Sequence, residues 1–173
     1  MSSLNDFPTE EFDVRQRIAA LPTNLLAYGV VSNIWRVAQE LKLRMERTVL
    51  REFDLTWAGF ATLFIVWIWG PIETRDIAKS QGVTRPTITS TVTLLEKNGL
   101  CTRQTSTEDR RLVLVELTPK GKALIERVFP LFNQGEATIV SGLSVEEQET
   151  LAALLRKVVN SIRSGDGNGN LNR

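Results

Sequence analysis

The sequence contains no histidine and a single cysteine, Cys101. Without histidine, zinc sites with the usual cysteine and histidine ligands cannot form, and a serine or cysteine hydrolase has no histidine base. A single cysteine also excludes an internal disulfide framework. Catalysis by carboxylates or lysine is still possible. Because no nucleophile–base set or metal cluster is visible, however, we expect a protein that is not an enzyme and that holds no cofactor or metal.

A membrane-spanning run is also missing. The most apolar stretch, Leu63–Trp69, lies in a segment of roughly 14 residues between Thr56 and Gly70-Pro71, whereas a bilayer requires about 20. Residues 1–13 are polar and acidic and lack the apolar core of a signal peptide. Together with the lone thiol, these features predict a cytoplasmic protein without a membrane partner.

Net charge is low, +1 from 21 basic and 20 acidic residues, so the chain lacks the general basicity of many nucleic-acid-binding proteins. The distribution is uneven, however. Residues 84–127 hold eight basic and five acidic side chains, whereas residues 1–22 hold two basic and four acidic ones. A local positive excess fits a DNA-binding surface. It also fits an ordinary solvated face, so it decides little by itself.

Hydrophobic periodicity predicts long helices towards both ends of the chain. Apolar residues at three- and four-residue spacing predict one amphipathic helix over Asn24–Glu52, with Thr23 as its N-cap, after a short helix over Thr9–Leu21. Ser144 opens a capping box for a last helix that ends near Arg163. The apolar faces of the two long helices exceed what one small domain can cover, so we predict a twofold homodimer.

Between these ends the pattern is helix, tight glycine turn, helix and then hairpin. The predicted helices are Trp57–Trp69, Glu73–Gln81 and Thr84–Asn98. Alternating residues over 113–117 predict a strand that pairs with Cys101–Gln104. Thr118-Pro119 begins a further helix, which Pro130 is expected to kink or divide.

The threonine-rich run from Thr84 to Thr93 also has the composition of a strand. A strand would place Ser90 on the same face as Ile88 and Val92, whereas a helix separates the polar residue from the two apolar ones. We therefore predict a helix for this segment.

The polar face of that helix suits DNA recognition. Small hydroxyl-bearing side chains can approach base edges in a major groove, and a basic residue in the first turn reaches deepest. The predicted DNA-contacting residues of this helix are Arg85, Pro86, Thr87, Thr89, Ser90, Thr93 and Lys97. A solvated helix face has a similar composition, but the hairpin that follows favours DNA binding.

The tip of the hairpin adds two adjacent arginines, Arg110 and Arg111, which are suited to a narrow minor groove. Asp109 beside them would repel phosphate, so we expect it to pair with an arginine and to stabilise the hairpin. A solvated charged turn is the alternative interpretation of these residues.

Two stretches carry a family resemblance: ETRDIAKSQGVTRPTITSTVTLLEKNGLCTR and STEDRRLVLVELTPKG. They contain an Asp-x-Arg pattern at Asp109 and Arg111 and a Leu-Thr-Pro-x-Gly pattern over Leu117–Gly121. In these motifs the chain resembles the MarR family of winged helix-turn-helix repressors. By helix order, the resemblance extends over about residues 24–163.

The resemblance implies a mainly α fold with a small β-hairpin wing (α+β) and intertwined N- and C-terminal dimerisation helices. It implies a recognition helix at Thr84–Asn98 and a wing contact by Arg111, with Ser90 where many members carry arginine. It also implies a small aromatic or phenolic effector in a cleft between the dimer helices and the DNA-binding lobe. Candidate lining residues, which would otherwise be core aromatics, are Trp35, Trp57, Phe60, Phe64 and Trp67.

The predicted parts are an N-terminal arm (1–22), a dimerisation helix (23–53), a winged helix-turn-helix lobe (54–118), C-terminal dimerisation helices (119–164) and a disordered tail (165–173). The predicted function is sequence-specific binding of double-stranded DNA by a homodimeric transcriptional regulator, a repressor on an inverted repeat that a small aromatic ligand relieves. One alternative is a winged helix for protein interaction without DNA. Another is a thiol-responsive regulator that uses Cys101, although a buried inert thiol is the favoured interpretation.

Overall fold

The computed structural model of the protein describes residues 9–105 and 112–165. Within them the chain is mainly α-helical with one small antiparallel sheet, as the sequence predicts. The helices are α1 (Thr9–Ile18), α2 (Leu25–Thr48), α3 (Trp57–Trp69), α4 (Thr74–Gln81), α5 (Arg85–Lys97), α6 (Pro119–Ile139) and α7 (Val145–Gly165). The strands are β1 (Ile72–Glu73), β2 (Cys101–Thr105) and β3 (Val113–Leu117).

The lobe that the sequence predicts over residues 54–118 has its core where α3, α4, α5 and the sheet meet. α3 begins after Thr56, whose hydroxyl accepts a hydrogen bond from the Gly59 N–H at 3.1 Å. The helix is apolar on almost every side, so its stable position is the centre of the lobe. Ile77 of α4 and Ile88 and Val92 of α5 are fully buried in the same cluster.

The sheet has three strands in the order β1-β3-β2, one more than the predicted hairpin. β2 and β3 pair antiparallel with Cys101 opposite Leu117, which confirms the two hairpin strands. The additional strand, β1, pairs Ile72 with Val115. Glu73, predicted as helical, belongs to this strand instead. A two-residue strand is too short to show an alternating pattern, and only its partner defines it.

The start of α2 differs from the prediction. Asn24, not Thr23, is the N-cap, and its side-chain oxygen accepts the Ala27 N–H at 3.0 Å. The Thr23 hydroxyl donates instead to the Ile18 carbonyl at 3.2 Å, where α1 ends three residues before the predicted Leu21. Both side chains can cap a helix, so the sequence alone does not choose between them.

The end of α2 also differs from the prediction. The helix stops at Thr48 rather than Glu52, and a 3₁₀ turn over Leu50–Phe53 follows. The tighter turn places Leu50 fully inside the core. Asp54 then adopts a φ of 53°, in the left-handed region, and redirects the chain into α3.

The C-terminal helices are largely as predicted. α6 runs through Pro130 without division, so of the two expected effects of this proline, a kink or a division, the division is wrong. Pro130 is exposed, as is Glu126, whose carbonyl loses the Pro130 N–H as its partner, so water can satisfy that oxygen. The capping box before α7 is confirmed, since the Ser144 N–H donates to Glu147 Oε2 at 2.8 Å and the Glu147 N–H to Ser144 Oγ. Gly165, predicted as tail, is the last residue of α7, and residues 166–173 lie outside the described part of the chain.

A close approach joins the first turn of α6 to the start of β2. A Cβ atom on Gly121 would lie 1.8 Å from the Leu100 carbonyl oxygen, so no larger residue fits there. The Thr118 hydroxyl accepts the Gly121 N–H and donates to the Gly99 carbonyl at 2.7 Å. Lys120 Nζ donates to the Asn98 carbonyl at 2.8 Å. These contacts fix α6 against the end of α5.

Two helices carry apolar faces that no part of residues 9–105 and 112–165 covers. α7 has no buried residue along its 21 residues. Exposed apolar residues of α2 are Leu26, Val30, Val31, Trp35, Val37 and Leu43. Exposed apolar residues of α7 include Val145, Leu151, Leu154, Leu155, Val159 and Ile162. Contiguous exposed apolar area on this scale marks an interaction surface.

None of the helices in the described ranges is both long and apolar enough to cross a membrane.

Candidate nucleic-acid interface

α4 and α5 form a helix-turn-helix. α4 ends at Gly82, whose φ of 64° lies in the left-handed region that favours glycine. Thr84 is extended, and α5 begins at Arg85 with proline in its first turn. Ala78 is small and buried, which allows the two helices to cross closely. The predicted helix over the threonine-rich run is therefore confirmed.

The predicted DNA-contacting residues of α5 lie on its exposed side. All seven, from Arg85 to Lys97, are exposed to solvent, whereas Ile88, Val92 and Leu95 are buried. Among the described residues, Arg85 has no ion-pair partner, and Glu96 is the one acidic side chain of α5. Lys97 lies roughly 18 Å from Arg85 along the helix axis, so the two cations mark opposite ends of this face.

The threonine hydroxyls of this face are already engaged within the helix. Thr89 Oγ1 donates to the Arg85 carbonyl at 3.0 Å, and Thr93 Oγ1 donates to the Thr89 carbonyl at 2.8 Å. Thr84 and Thr87 share a hydrogen bond of 2.9 Å between their hydroxyls. Their side chains thus have fixed orientations before any ligand arrives.

Arg103 on β2 is the main residue that the sequence-based prediction missed. Its Nη2 donates to the Thr93 hydroxyl at 2.9 Å and to the Thr89 carbonyl at 3.0 Å. Its Nη1 forms an ion pair with Glu96, and its backbone N–H donates to the other oxygen of that carboxylate at 3.1 Å. Arg103 thereby links the hairpin to the middle of α5. The sequence contains a weak signal for it, an arginine two residues into a predicted strand.

The tip of the hairpin lies outside the described residues. Asp109, Arg110 and Arg111 fall within residues 106–111, so their roles at the wing remain predictions. The strands on either side are well defined, and Thr105 pairs with Val113 at the tip end of the ladder. The described part of the hairpin lies beside α5, which Arg103 contacts.

Four of the five candidate pocket residues belong to one aromatic cluster that includes two phenylalanines of α6. The Phe60 ring stacks on Phe132 with centroids 4.1 Å apart, and Phe64 stacks on Phe129 at 5.1 Å. Trp57 contacts Phe132 and Trp67 contacts Phe129, both at 5.8 Å. The phenylalanines of α6 complete this aromatic cluster and were not predicted, because their partners are more than 60 residues away in the sequence.

Trp35 does not belong to the aromatic cluster. It lies on α2, is 65% exposed and does not pack against the core. The apolar face of α2 to which it belongs is the uncovered surface described above. Within the described chain, Trp35 therefore does not share a pocket with the other four candidate residues.

A cleft of about 370 Å³ opens between α2 and α6. This volume is within the range of small-molecule sites, which is roughly 300–1,000 Å³. Its lining residues are Arg44, Thr48, Val49, Glu52, Leu131, Gln134, Gly135 and Thr138. Its lining combines the apolar side chains of Val49 and Leu131 with one cation, one carboxylate and amide and hydroxyl groups.

Cys101 is buried at the start of β2, with 1% of its surface exposed. Its thiol lies 3.8 Å from the Val92 carbonyl. Burial, with a smaller contribution from the Glu96 carboxylate, raises the pKa of the Cys101 thiol from 9.0 to about 11, although Arg103 opposes the shift. Because the thiolate is the reactive form, this environment favours an inert thiol.

Metal ligands are not grouped in the part of the chain that the structure describes. No cluster of three or more histidine, cysteine, aspartate or glutamate side chains there could hold a metal ion.

Comparison with known proteins links this arrangement to one family. The sequence model of the MarR family matches residues 55–113, which span α3 to the start of β3. The uncharacterised HTH-type transcriptional regulator YwaE of Bacillus subtilis is 37% identical over 158 residues, covering 90% of this chain and 92% of the relative.

Solved structures give the same result. BpsR of Bordetella bronchiseptica, whose DNA binding is regulated by 6-hydroxynicotinic acid, is 28% identical with a TM-score of 0.69, over 76% of this chain and 98% of BpsR. MepR of Staphylococcus aureus, in its complex with DNA, is 32% identical with a TM-score of 0.68, over 76% of this chain and 97% of MepR.

Proposed function

The chain belongs to the MarR family of transcriptional regulators, and from this premise we propose that it is a homodimer that binds a specific inverted repeat in double-stranded DNA. We propose further that it represses transcription from that site until a small aromatic effector releases it. The family consists of regulators rather than enzymes. The observation that carries the proposal is the exposed face of α5, which is basic, hydroxyl-rich and braced by Arg103.

Binding in a major groove is supported by the composition of the exposed side of α5 and by the contacts of Arg103 with this helix. Its exposed side presents Arg85 in the first turn, where a recognition helix reaches deepest, followed by Thr89 and Thr93. A protein-interaction winged helix would be expected to expose apolar residues along this face. Leu94 is the one exposed large apolar residue of α5, so the described face favours DNA over a protein partner.

Dimer formation is supported by the uncovered faces of α2 and α7. Two recognition helices related by a twofold axis fit successive major grooves, with half-sites roughly 10 base pairs apart. A monomer would offer one reading helix and would leave both apolar faces in water. A twofold dimer would therefore bind an inverted repeat and bury these apolar faces at the same time.

An effector site is supported by the cleft between α2 and α6 rather than by the interior of the aromatic cluster. Phe60 and Phe64 are stacked against α6 and leave no described space between the rings. The neighbouring cleft offers Arg44 to a carboxylate and the apolar side chains of Val49 and Leu131 to a ring. Regulation of BpsR by 6-hydroxynicotinic acid supports a planar aromatic acid as the chemical class. Such a ligand acts only through a difference in its affinity for two arrangements of the dimer.

The test of DNA binding is selection from a random pool of double-stranded DNA, followed by affinity measurements as a function of salt. We expect enrichment of an inverted repeat, and affinity that falls with salt in proportion to the phosphates contacted. Loss of Arg111 at the wing should weaken binding to all sequences and lower the salt slope by about one unit. A pool that yields no enriched sequence contradicts the proposal.

The effector proposal has a separate test. Planar aromatic acids are titrated against the protein with and without the selected DNA, using wild type and Arg44→Gln. We expect ligands to weaken DNA binding of the wild type and to lose most of their effect on the variant. Ligands that bind the protein but leave its DNA affinity unchanged contradict the regulatory role.

A further inference from the structure

Three of the four threonine hydroxyls of α5 share one polarity. Thr89, Thr91 and Thr93 each donate to the carbonyl oxygen four residues earlier, at 3.0, 3.0 and 2.8 Å. A hydroxyl carries a single proton and two lone pairs. Once the proton is donated along the helix, the oxygen can meet a group outside the helix only as an acceptor.

Thr93 is held in this state by a second contact. Arg103 Nη2 donates to its hydroxyl oxygen at 2.9 Å and to the Thr89 carbonyl at 3.0 Å. A guanidinium group has donors and no acceptor, so the Thr93 oxygen must accept at this contact. Turning the Thr93 proton outward would therefore break its own bond to the helix and disturb the bond from Arg103.

Arg103 is in turn fixed from its other side. Its Nη1 pairs with one oxygen of Glu96, and the other oxygen of that carboxylate accepts the Arg103 backbone N–H at 3.1 Å. Charge-assisted bonds of this kind are about twice as strong as neutral ones. Glu96 of α5 thus directs the Arg103 guanidinium group towards Thr93 on the same helix. The side chains of Arg103, Glu96 and Thr93 form one hydrogen-bonded unit.

We infer that Arg103 is a positioning residue for base recognition, which holds the Thr93 hydroxyl as an acceptor so that α5 prefers adenine or cytosine at the base facing Thr93. In the major groove, adenine and cytosine present an amino donor, whereas guanine and thymine present carbonyl acceptors. An acceptor-only hydroxyl attracts the first pair of bases and repels the second. The inference rests on the proposed function and deepens it by naming the class of base that is read.

The test compares all four bases at each position of the selected DNA site. For the wild type, we expect one position in each half-site to favour adenine and cytosine over guanine and thymine by about fivefold or more. Thr93→Val keeps the shape and removes the oxygen, so it should abolish this preference. Arg103→Met should weaken the preference at the same position, because turning the Thr93 proton outward then costs only the intrahelical bond and no longer disturbs a bond from Arg103.

The double variant distinguishes positioning from general support. If Arg103 acts through Thr93, adding Arg103→Met to Thr93→Val should change the preference at that position no further. Arg103→Lys keeps the charge but cannot bridge Glu96 and Thr93 at once, so it should keep the wild-type salt slope and lose part of the preference. Thr91→Val is the matched control, since Thr91 makes the same intrahelical bond and no bond to Arg103. Thermal unfolding of each variant checks that it is folded.

Three results would overturn the inference. If Arg103→Met weakens binding to every sequence equally and reduces the salt slope by one unit, Arg103 contacts phosphate instead. Additive effects of the two variants at that position would show that Arg103 and Thr93 act independently. If the wild type enriches a site without a position that depends on Thr93, the inference alone fails, whereas a wild type that enriches nothing overturns the proposed function with it.

Discussion

The residue with the most altered ionisation is Cys101. Its thiol is buried between β2 and α5, and burial, followed by Glu96, raises its pKa to about 11. At neutral pH the group is a neutral thiol that water and oxidants do not reach. A thiol-responsive switch requires an accessible thiolate, so this geometry gives that alternative no support.

We therefore predict that native Cys101 reacts slowly with thiol reagents at pH 8 and rapidly in urea. The unfolded chain releases the thiol proton near pH 9, whereas the folded chain retains it to about pH 11. The contribution of the protonated thiol to the free energy of unfolding is thus fully present below pH 9 and is lost as the pH rises through about 11. Urea unfolding of wild type and Cys101→Ala over this range measures it, and parallel curves for the two proteins would contradict the prediction.

A second residue-scale feature is the carboxylate of Glu11, a residue of α1 whose exposed fraction is 1%. It accepts from Arg36 at 3.2 Å and from Asn33 at 3.1 Å, both on α2, and pairs with Arg15 at 3.7 Å. The buried Gly29 of α2 gives this group room, because a Cβ there would lie 3.1 Å from the Arg15 guanidinium. One carboxylate therefore attaches the N-terminal arm to α2.

Glu11→Gln should loosen α1 without unfolding the lobe. The variant keeps the size of the side chain and removes the charge that its two arginine partners face, so α1 should open locally. Hydrogen exchange is expected to rise in α1 and to stay unchanged in α3 and α5. Asp13→Asn is the control, because Asp13 is exposed on the same helix. Equal exchange in the two variants would count against the role of Glu11.

At the scale of elements, the critical junction is the one between α6 and the start of β2. Gly121 lies where the first turn of α6 meets the Leu100 backbone, and Thr118 bonds to both sides of the gap. Backbone atoms cannot move aside as a flexible side chain can. The Leu-Thr-Pro-x-Gly pattern is thus explained by a cap, a helix start and a close approach within five residues.

Gly121→Ala should destabilise the fold by about 3 kcal/mol or more, since overpacking against backbone allows little relaxation. Gly142→Ala is the matched control: nothing lies within 4 Å of its Cβ position, and its effect should be within about 0.5 kcal/mol. Urea unfolding curves measure both. A Gly121→Ala protein as stable as the wild type would show that α6 can shift relative to β2.

At the scale of the whole molecule, the described chain consists of a lobe with its own hydrophobic core and two long helices, α2 and α7, whose apolar faces remain in water. α2 and α7 lie at opposite ends of the sequence, so a partner that covers both must engage both ends of the chain. A second copy supplies the same two faces in return. The twofold dimer is therefore the assembly that the proposed function requires.

Leu151→Glu on the apolar side of α7 should convert this dimer to a monomer and weaken DNA binding. A buried charge without a partner is costly at an interface. Asn160→Glu adds the same group to the opposite side of α7 and should leave the dimer intact. Sedimentation should give twice the chain mass of 19.4 kDa for the wild type and the control. A folded wild-type monomer at micromolar concentration would contradict the assembly.

The sequence by itself determined most elements, because periodicity, caps and glycine turns act over a few neighbouring residues. It predicted α3, α5, the hairpin strands and the capping box at Ser144, and it placed Arg85 and Thr93 on one exposed face. It also carried the family motifs, since these are short and contiguous.

Only the tertiary structure decided features that depend on distant partners. β1 exists because β3 lies beside it, Phe132 joins the aromatic cluster because α6 packs on α3, and α2 ends early because the core accepts Leu50. Arg103 reaches Thr93 across ten residues and a change of secondary structure. Local patterns constrain local backbone conformation, whereas the contact between Arg103 and α5 forms only once strand and helix have packed together.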